Sequence, residues 1–407
     1  MSLLDEEPDT MNVMRVVPSL YPEKMGGIGL HAHHLSRLQA EDGHDVTVYT
    51  SDNGDSSLPG CETRDGYTVK RYRQVARPMN NTITPGIVSD LVTEAEQYDV
   101  VHIHSHLYFS SVVAALASKL RDKPTVLTNH GIMSQSVSKW IQLTYLPTVG
   151  RLAFESADRI LRYHERDRNE LLDRGVNTDI EVIHNGIDCE QFAPTAADGG
   201  FVPDAVDNST EDPYVAFVGR LQPGKGAHYL IDAFARIADS YPERELVLVG
   251  DGPQRDELEG LAREKGVRDR VEFLGEIPNE AVPAVVGEAD LFALPSLAEG
   301  MPRTVLEALA CETPVVTTDL KQLRPLVEDV GQLVPSESPA ELADALDEFL
   351  DMNPERREEL GERGREKVLD GYSWRDTVRQ TTDVYRELVD ENVERKEPQI
   401  TNSSSAD

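Results

Sequence analysis

Cysteine is scarce in this chain, with three among 407 residues, at positions 61, 189 and 311. They are odd in number, far apart and without a Cys-x-x-Cys, which argues against both a disulfide framework and a zinc site and fits a reduced cytosol. Lysine is also rare: 10 Lys stand beside 30 Arg, and these 40 basic residues face 73 acidic ones for a formal charge of −33. An interface that neutralises phosphate with basic side chains is disfavoured by that balance, so no nucleic-acid partner is expected. No apolar run is long enough to span a bilayer. The start, Met1–Thr10, is acidic and polar where a signal peptide is basic and then apolar, so a cytoplasmic protein is expected. Asn80, Asn208 and Asn402 stand in N-x-Ser/Thr triplets, which in that compartment are accidental.

The acidic excess runs along the chain instead of forming one tail. Residues 1–192 carry 18 basic and 27 acidic side chains, and residues 193–407 carry 22 and 46. With so much self-repulsion, the composition reads as adaptation to molar salt, where screening cuts the reach of charge to a few ångströms. An apolar share of 39% over this length supports two domains.

Short apolar runs alternate with helical patterns throughout, as in parallel sheets with crossover helices. Candidate strands are 11–17, 45–49, 100–104, 125–128 and 180–183, then 214–218, 245–249, 271–274, 291–294 and 314–317. Between the two series, residues 194–213 are rich in Ala, Gly, Asp, Asn and Pro without periodicity, which reads as a linker or surface loop. The expected architecture is α/β, with two doubly wound domains facing a central cleft, where ligands meet the carboxyl ends of strands. Residues 354–391 read as charged amphipathic helices.

Three motifs carry chemistry. Gly26-Gly27-Ile28-Gly29 follows the first strand and opens a helix to about Glu41, so its backbone can approach an anion at a helix amino terminus. Gly219-Arg220-Leu221-Gln222-Pro223-Gly224-Lys225-Gly226 lies between a strand and a helix running from about Ala227 to Asp239, and its two cations suit a diphosphate. It nearly spells a P-loop, but Gly226 stands where a Mg²⁺-binding hydroxyl is required. Third, Pro295-Ser-Leu-Ala-Glu299-Gly300-Met301-Pro302-Arg303-Thr304-Val-Leu-Glu307 places one carboxylate before a helix and one on it. Pro302 suits the first turn, leaving N–H groups at Arg303 and Thr304 for an anion. The two carboxylates then address different parts of one extended ligand, and carboxylates commonly grip sugar diols.

With these pieces the chain resembles the family 4 retaining glycosyltransferases of the GT-B fold over nearly its whole length. GGIGLHAHHL, DVVHIHSH, PTVLTNHG, VIHNGID, FVGRLQPGKG, LVLVGDGP, EGMPRTVLEALA and TPVVTTD all match in order, and Glu299-x7-Glu307 is the most diagnostic. The resemblance implies transfer of a sugar from a nucleoside diphosphate donor to an acceptor hydroxyl with retention, without a bound metal or other cofactor. Arg220 and Lys225 would hold the leaving diphosphate, Glu307 the ribose and Glu299 the transferred sugar. Gly26 and Gly27 would close over the phosphates, with Gly219, Gly300, Met301, Arg303 and Thr304 completing the donor contacts, and His130 would sit beside the reacting sugar. Asn185, Gly186 and Asp188 match a segment read as structural. The implied domains are 1–193 on the acceptor side, 214–373 on the nucleotide-sugar side, a helix at 374–393 crossing back to the first domain, and a disordered tail at 394–407.

This chain departs from the family pattern at Lys321-Gln322-Leu323-Arg324-Pro325, where relatives carry a glycine pair and then a proline and an acidic residue, at Glu312, where glycine is common, and at Pro302, a frequent glycine. The acceptor stays open among a glycan, a lipid-linked molecule and a small molecule. Residues 132–151, with Trp140 and Tyr145, read equally as a segment resting on the inner face of the membrane and as an ordinary helix. The basic residues Lys70, Arg71, Arg73 and Arg77 read as a solvated strand or as help for an acceptor phosphate. Other readings are a P-loop-like nucleotide hydrolase, a non-catalytic glycan-binding protein on the same scaffold, and a phosphorylase.

Overall fold

The computed structural model describes residues 10–24, 27–130, 150–163, 165–194, 213–299 and 302–396. Gly26, Gly300, Met301, most of the 132–151 segment and the 195–212 part of the expected linker lie outside the described residues. The chain divides into two units: Met1–His184 with Thr377–Asp407, and Asn185–Asp376.

The first unit is built on an eight-stranded sheet of β1 (Asn12–Val16), β2 (Asp45–Ser51), β3 (Cys61–Arg64), β4 (Tyr67–Tyr72), β5 (Val100–His104), β6 (Thr125–Thr128), β7 (Arg159–Arg162) and β8 (Asp179–Val182). Its order is β3-β4-β2-β1-β5-β6-β7-β8, parallel except for the β3–β4 hairpin. That hairpin is absent from the strands expected above. Its signal was Asp65-Gly66, both at positive φ, the pair that a tight two-residue turn demands. β7 was also missed, since a four-residue strand with arginine at both ends has no apolar run to betray it.

Because side chains alternate along a strand, Met14, Val16, Val101 and Ile103 pack on one face, while Val13, Val17 and Val100 pack on the other. Arg15, His102 and His104 share that second face. The fully buried Arg15 guanidinium donates to Ser36 Oγ at 2.6 Å and Gln39 Oε1 at 2.6 Å, both on α1 (Gly27–Glu41), and to Tyr385 OH at 3.1 Å. Its hydrogen-bond partners are neutral, so the charge is stabilised by hydrogen bonds alone, and loss of any one leaves part of a buried cation unsolvated.

The second unit has an all-parallel sheet of β9 (Tyr214–Val218), β10 (Glu245–Val249), β11 (Val271–Gly275), β12 (Leu291–Leu294), β13 (Val315–Thr318) and β14 (Gly331–Val334). The order β11-β10-β9-β12-β13-β14 is the doubly wound 3-2-1-4-5-6 arrangement. Helices α2 (Ala227–Ile237), α3 (Arg303–Ala310), α4 (Pro339–Asp351) and α5 (Pro354–Leu369) bury Phe234, Leu306, Leu309 and Leu346 in one continuous core with the strands.

Two expected boundaries are corrected. Residues 185–193 belong to the second unit, because Ile187 and Phe192 enter its core and Ile187 exchanges backbone hydrogen bonds with Tyr372 and Trp374. The last helix, α6 (Trp374–Lys396), extends past 394, the expected start of a disordered tail, and Lys396 Nζ reaches the carbonyl of Asp122 at 2.9 Å. Val384, Tyr385 and Leu388 of α6 are core residues of the first unit.

Candidate functional site

In an open α/β sheet, the loops after the strands flanking the reversal of strand order diverge and leave room for a ligand. In the second unit, the reversal lies at β9 and β12. The loop after β9 carries Gly219–Gly226, and the loop after β12 carries Pro295–Glu299 and leads to α3. Topology thus brings the second and third motifs together. Leu297 N donates to Gly224 O at 2.9 Å, and Lys225 Nζ meets Glu299 Oε1 at 2.5 Å.

Gly226 is fixed by geometry. Its φ is +72°, and an added Cβ would lie 2.1 Å from the Pro295 carbonyl oxygen. No serine or threonine fits there, so the P-loop reading fails on sterics as well as on sequence. Gly250 and Gly252, quoted above within LVLVGDGP but given no role, prove to be close-packing positions: a Cβ would stand 2.1 Å from Gly219 O and 2.3 Å from Leu221 O respectively. They let the 250–252 turn press against the Gly219–Leu221 backbone, which is pinned by Gly219 N to Val249 O and Leu221 N to Asp251 O. Arg220 is exposed and makes no ion pair among the described residues.

Pro302 is the residue before α3, not within its first turn, because its ψ of 113° is extended. No side chain caps that helix end, whose first residues are Arg303 and Thr304. Glu307, one turn on, is 6% exposed, and its carboxylate stands 3.7 Å from Arg303 Nε. Burial pushes the Glu307 carboxyl above the usual carboxylate range, against the opposing pull of Arg303. Arg303 Nε is itself buried without a hydrogen-bond partner. Gln322, from the segment that departs from the family pattern, donates to Glu299 O at 2.5 Å. The sequence reading had no role for it.

In the first unit, the reversal lies at β1, whose following loop leads to Gly27 and α1. Gly27 is unobstructed, whereas a Cβ on Gly29 would stand 2.9 Å from Ser19 O, so Gly29 is the glycine that close packing requires. His130 follows β6. Its Nδ1 is 2.7 Å from Tyr163 OH and its Nε2 is 3.0 Å from His104 Nδ1. Of the four basic residues near β4, Arg73 and Arg77 are exposed and two are paired within the fold: Lys70 with Glu94, and Arg71 with Glu23 and Glu62, which also hold Arg64. Those charges support the fold around Glu23, whose carboxyl sits at about 2 because the arginines' hydrogen bonds and charge outweigh the effect of burial. Gly186 packs under Trp374, where a Cβ would lie 2.5 Å from Trp374 Cα, and Asp188 Oδ1 caps the turn at Glu190 and Gln191. Among the described residues, no group of three or more His, Cys, Asp or Glu is placed to hold a metal, and no helix is long and apolar enough to cross a membrane.

Comparison with known proteins covers both halves. Residues 25–191 match the model described as Glycosyltransferase Family 4, and residues 203–367 match that of glycosyl transferases group 1. The chain is 30% identical to a D-inositol 3-phosphate glycosyltransferase of Salinispora tropica over 401 residues, spanning 90% of this chain and 82% of that protein. It is 29% identical to an alpha-maltose-1-phosphate synthase of Mycolicibacterium smegmatis, spanning 93% and 100%. Among solved structures, Anabaena Alr3699/HepE in complex with UDP superposes with a TM-score of 0.71 at 21% identity, over 93% of this chain and 100% of that one. Two doubly wound units, motifs at both reversals of strand order and relatives along the whole length lead to one assignment: the chain belongs to the family 4 glycosyltransferases, with the GT-B fold.

Proposed function

We propose that this glycosyltransferase moves a sugar from a nucleoside diphosphate sugar to an acceptor hydroxyl with retention at the anomeric carbon. Arg220 and Lys225 take the diphosphate and stabilise it as it leaves, a purely electrostatic task that calls for no bound metal. Glu307 accepts from the ribose hydroxyls, Glu299 from those of the moving sugar, and the helix end at Arg303 and Thr304 adds N–H groups toward the phosphates. Gly26, Gly27, Gly219, Gly300 and Met301 complete the donor contacts, and His130 serves the sugar side. With no carboxylate clearly placed as a covalent nucleophile, front-face displacement is the step, the departing phosphate helping to deprotonate the acceptor.

The observation that carries this reading is the meeting of the two motif loops: Lys225 and Glu299 are in contact, and a buried Glu307 follows on the helix that the second loop leads into. Both relatives named above carry phosphorylated compounds in their names, which puts phosphorylated polyols and sugars first in an acceptor panel, followed by lipid-linked and glycan acceptors of the cell surface. The acidic surface is read as adaptation to salt.

The test is to incubate the purified protein with a panel of nucleotide sugars and acceptors in molar salt, with and without EDTA. Release of nucleoside diphosphate, a product of unchanged anomeric configuration by NMR, and indifference to EDTA are expected. Inversion, or a complete loss restored by Mg²⁺ or Mn²⁺, would refute the retaining or the metal-free part respectively. Release only of inorganic phosphate would return the reading to nucleotide hydrolysis.

A further inference from the structure

His130 does not stand alone. His104, at the end of β5, and Tyr163, just past β7, flank it from the two strands neighbouring β6, and both of its ring nitrogens are engaged by them. His31, on α1, stands edge-on to the same ring with centroids 5.2 Å apart, and its Nδ1 lies 3.5 Å from Tyr163 OH. Behind His104, the His102 ring stacks at 4.4 Å and is tied to Tyr385 OH at 2.5 Å and Thr128 Oγ1 at 2.7 Å. His102 and His104 are fully buried. Burial and the nearby cationic or ionisable groups hold His102, His104 and His130 in the neutral form: His31 and Arg162 act on His130, and His102, His130, His31 and Arg15 act on His104.

A neutral imidazole carries one N–H and one bare nitrogen, so a string of them bonded end to end has a direction. If Tyr163 donates to His130 Nδ1, then His130 Nε2–H donates to His104 Nδ1, and His104 keeps its proton on Nε2. In the reverse direction, His104 Nδ1–H donates to His130, and His130 donates to the tyrosine oxygen. In both, His104 Nε2 is the end of the string: it is buried and has no hydrogen-bond partner among the described residues. Leaving such a nitrogen unmet is unfavourable, and at the carboxyl edge of a sheet it calls for a function that offsets it.

We propose that His104 and Tyr163 are positioning residues for His130, coupling its tautomer to theirs and locking the ring in one orientation for the transfer reaction. This rests on the proposed placement of His130 at the sugar side. The clamp means that His130 reaches the reaction as a neutral ring of fixed orientation, its proton placed by whichever of the two directions the string takes. It cannot turn to offer either nitrogen without breaking a bond to its own sheet. Among the described residues, the groups facing it are His31 from α1, His104 from β5, and Arg162 and Tyr163 from β7 and its end, none of them a carboxylate that would favour the charged form.

The experiment labels the histidines with ¹⁵N and reads the His130 ring in the full-length protein in high salt from about pH 5.5 to about 8, alongside steady-state kinetics. In the wild type, a single neutral tautomer is expected across that range. Tyr163→Phe, which deletes one oxygen, and His104→Ala should each mix the tautomers. Each should also lower kcat by about ten- to a hundredfold with the donor KM moved less than about threefold. His104→Asn, whose amide stands near the position of Nδ1, should recover most of both signals. A wild-type His130 ring that averages its tautomers or protonates near its ordinary pKa overturns the proposal, as does a Tyr163→Phe enzyme with unchanged kcat. A His130→Ala enzyme of wild-type activity overturns it too, while leaving glycosyl transfer intact. If the wild type transfers no sugar from any nucleotide donor, the functional reading fails, and the ring spectra still decide whether the clamp exists.

Discussion

Replacing Glu307 by glutamine should move stability and ligand affinity in opposite directions. The carboxylate is 6% exposed and its pKa is raised by burial. A carboxyl that binds its proton more tightly when folded than when unfolded adds stability at low pH. That stability is lost as pH rises from the unfolded pKa through the folded one, so at neutral pH the ionised side chain is a net cost. Its one ion-pair partner among the described residues, Arg303, is 3.7 Å away and 29% exposed, so the pair offsets little of that cost. The amide keeps shape and volume and removes the buried charge. The ligand-free Glu307→Gln protein should therefore melt at the same temperature as the wild type or higher. Toward a ribose the change is adverse: one charge-assisted hydrogen bond is worth roughly 1.5–3 kcal/mol, which at 1.4 kcal/mol per decade is about ten- to a hundredfold in affinity. Free nucleoside diphosphate should suffer as much as the intact donor. Calorimetry with the diphosphate that the wild type releases, paired with thermal melting in the same molar salt, measures both. A variant that loses stability and keeps its affinity would show that Glu307 is a structural member of α3 and not the ribose ligand.

Glu299→Ala should leave affinity for free nucleoside diphosphate within about threefold, because it also frees Lys225, while kcat falls by about a hundredfold since its sugar contacts belong to the transition state. Equal nucleotide losses for the two glutamates would refute their separate roles. Gly226→Ala should destabilise the protein by about 1–3 kcal/mol, through its left-handed backbone and the clash with Pro295, read as a lowered Tm. An unchanged Tm would mean that the loop relaxes freely. Lowering salt toward millimolar should reduce the stability of the whole chain, since repulsion within a net charge of −33 then reaches out to about 30 Å; undiminished cooperative unfolding in that buffer would remove the case for salt adaptation.

The strands readable in advance were those whose apolar runs are bounded by breakers, and β5, β6, β9, β10 and β12 start and end where the run does. β7 and the β3–β4 hairpin were invisible to that criterion because their partners lie elsewhere: Arg159 meets Glu181 and Arg71 meets Glu62, pairings that alternation within a strand does not encode. Motif residues stand out as candidates because glycines and charges at a strand-to-helix turn have few other uses. Their helpers could not. Tyr385 reaches Arg15 across 370 residues of sequence and Tyr163 reaches His130 across a strand, and neither spacing carries a period. The assignment of 185–193 to the first domain failed for a similar reason: Phe192 looks like the end of one apolar series until the core it enters is known.

The contact between Lys225 and Glu299 links the two halves of the proposed donor. Side-chain exposures of 22% and 12% leave the pair partly solvated, so breaking it costs about 1 kcal/mol or less. A diphosphate brings charge-assisted hydrogen bonds of higher value to the same ammonium, and the exchange is therefore downhill. In the proposed donor complex it releases the Glu299 carboxylate for the sugar, with its backbone still held by Gln322. If, as proposed, the released carboxylate meets the sugar chiefly in the transition state, the intact donor and free diphosphate bind alike and the gain appears in turnover, which is why Glu299→Ala is expected to spare nucleotide affinity while lowering kcat.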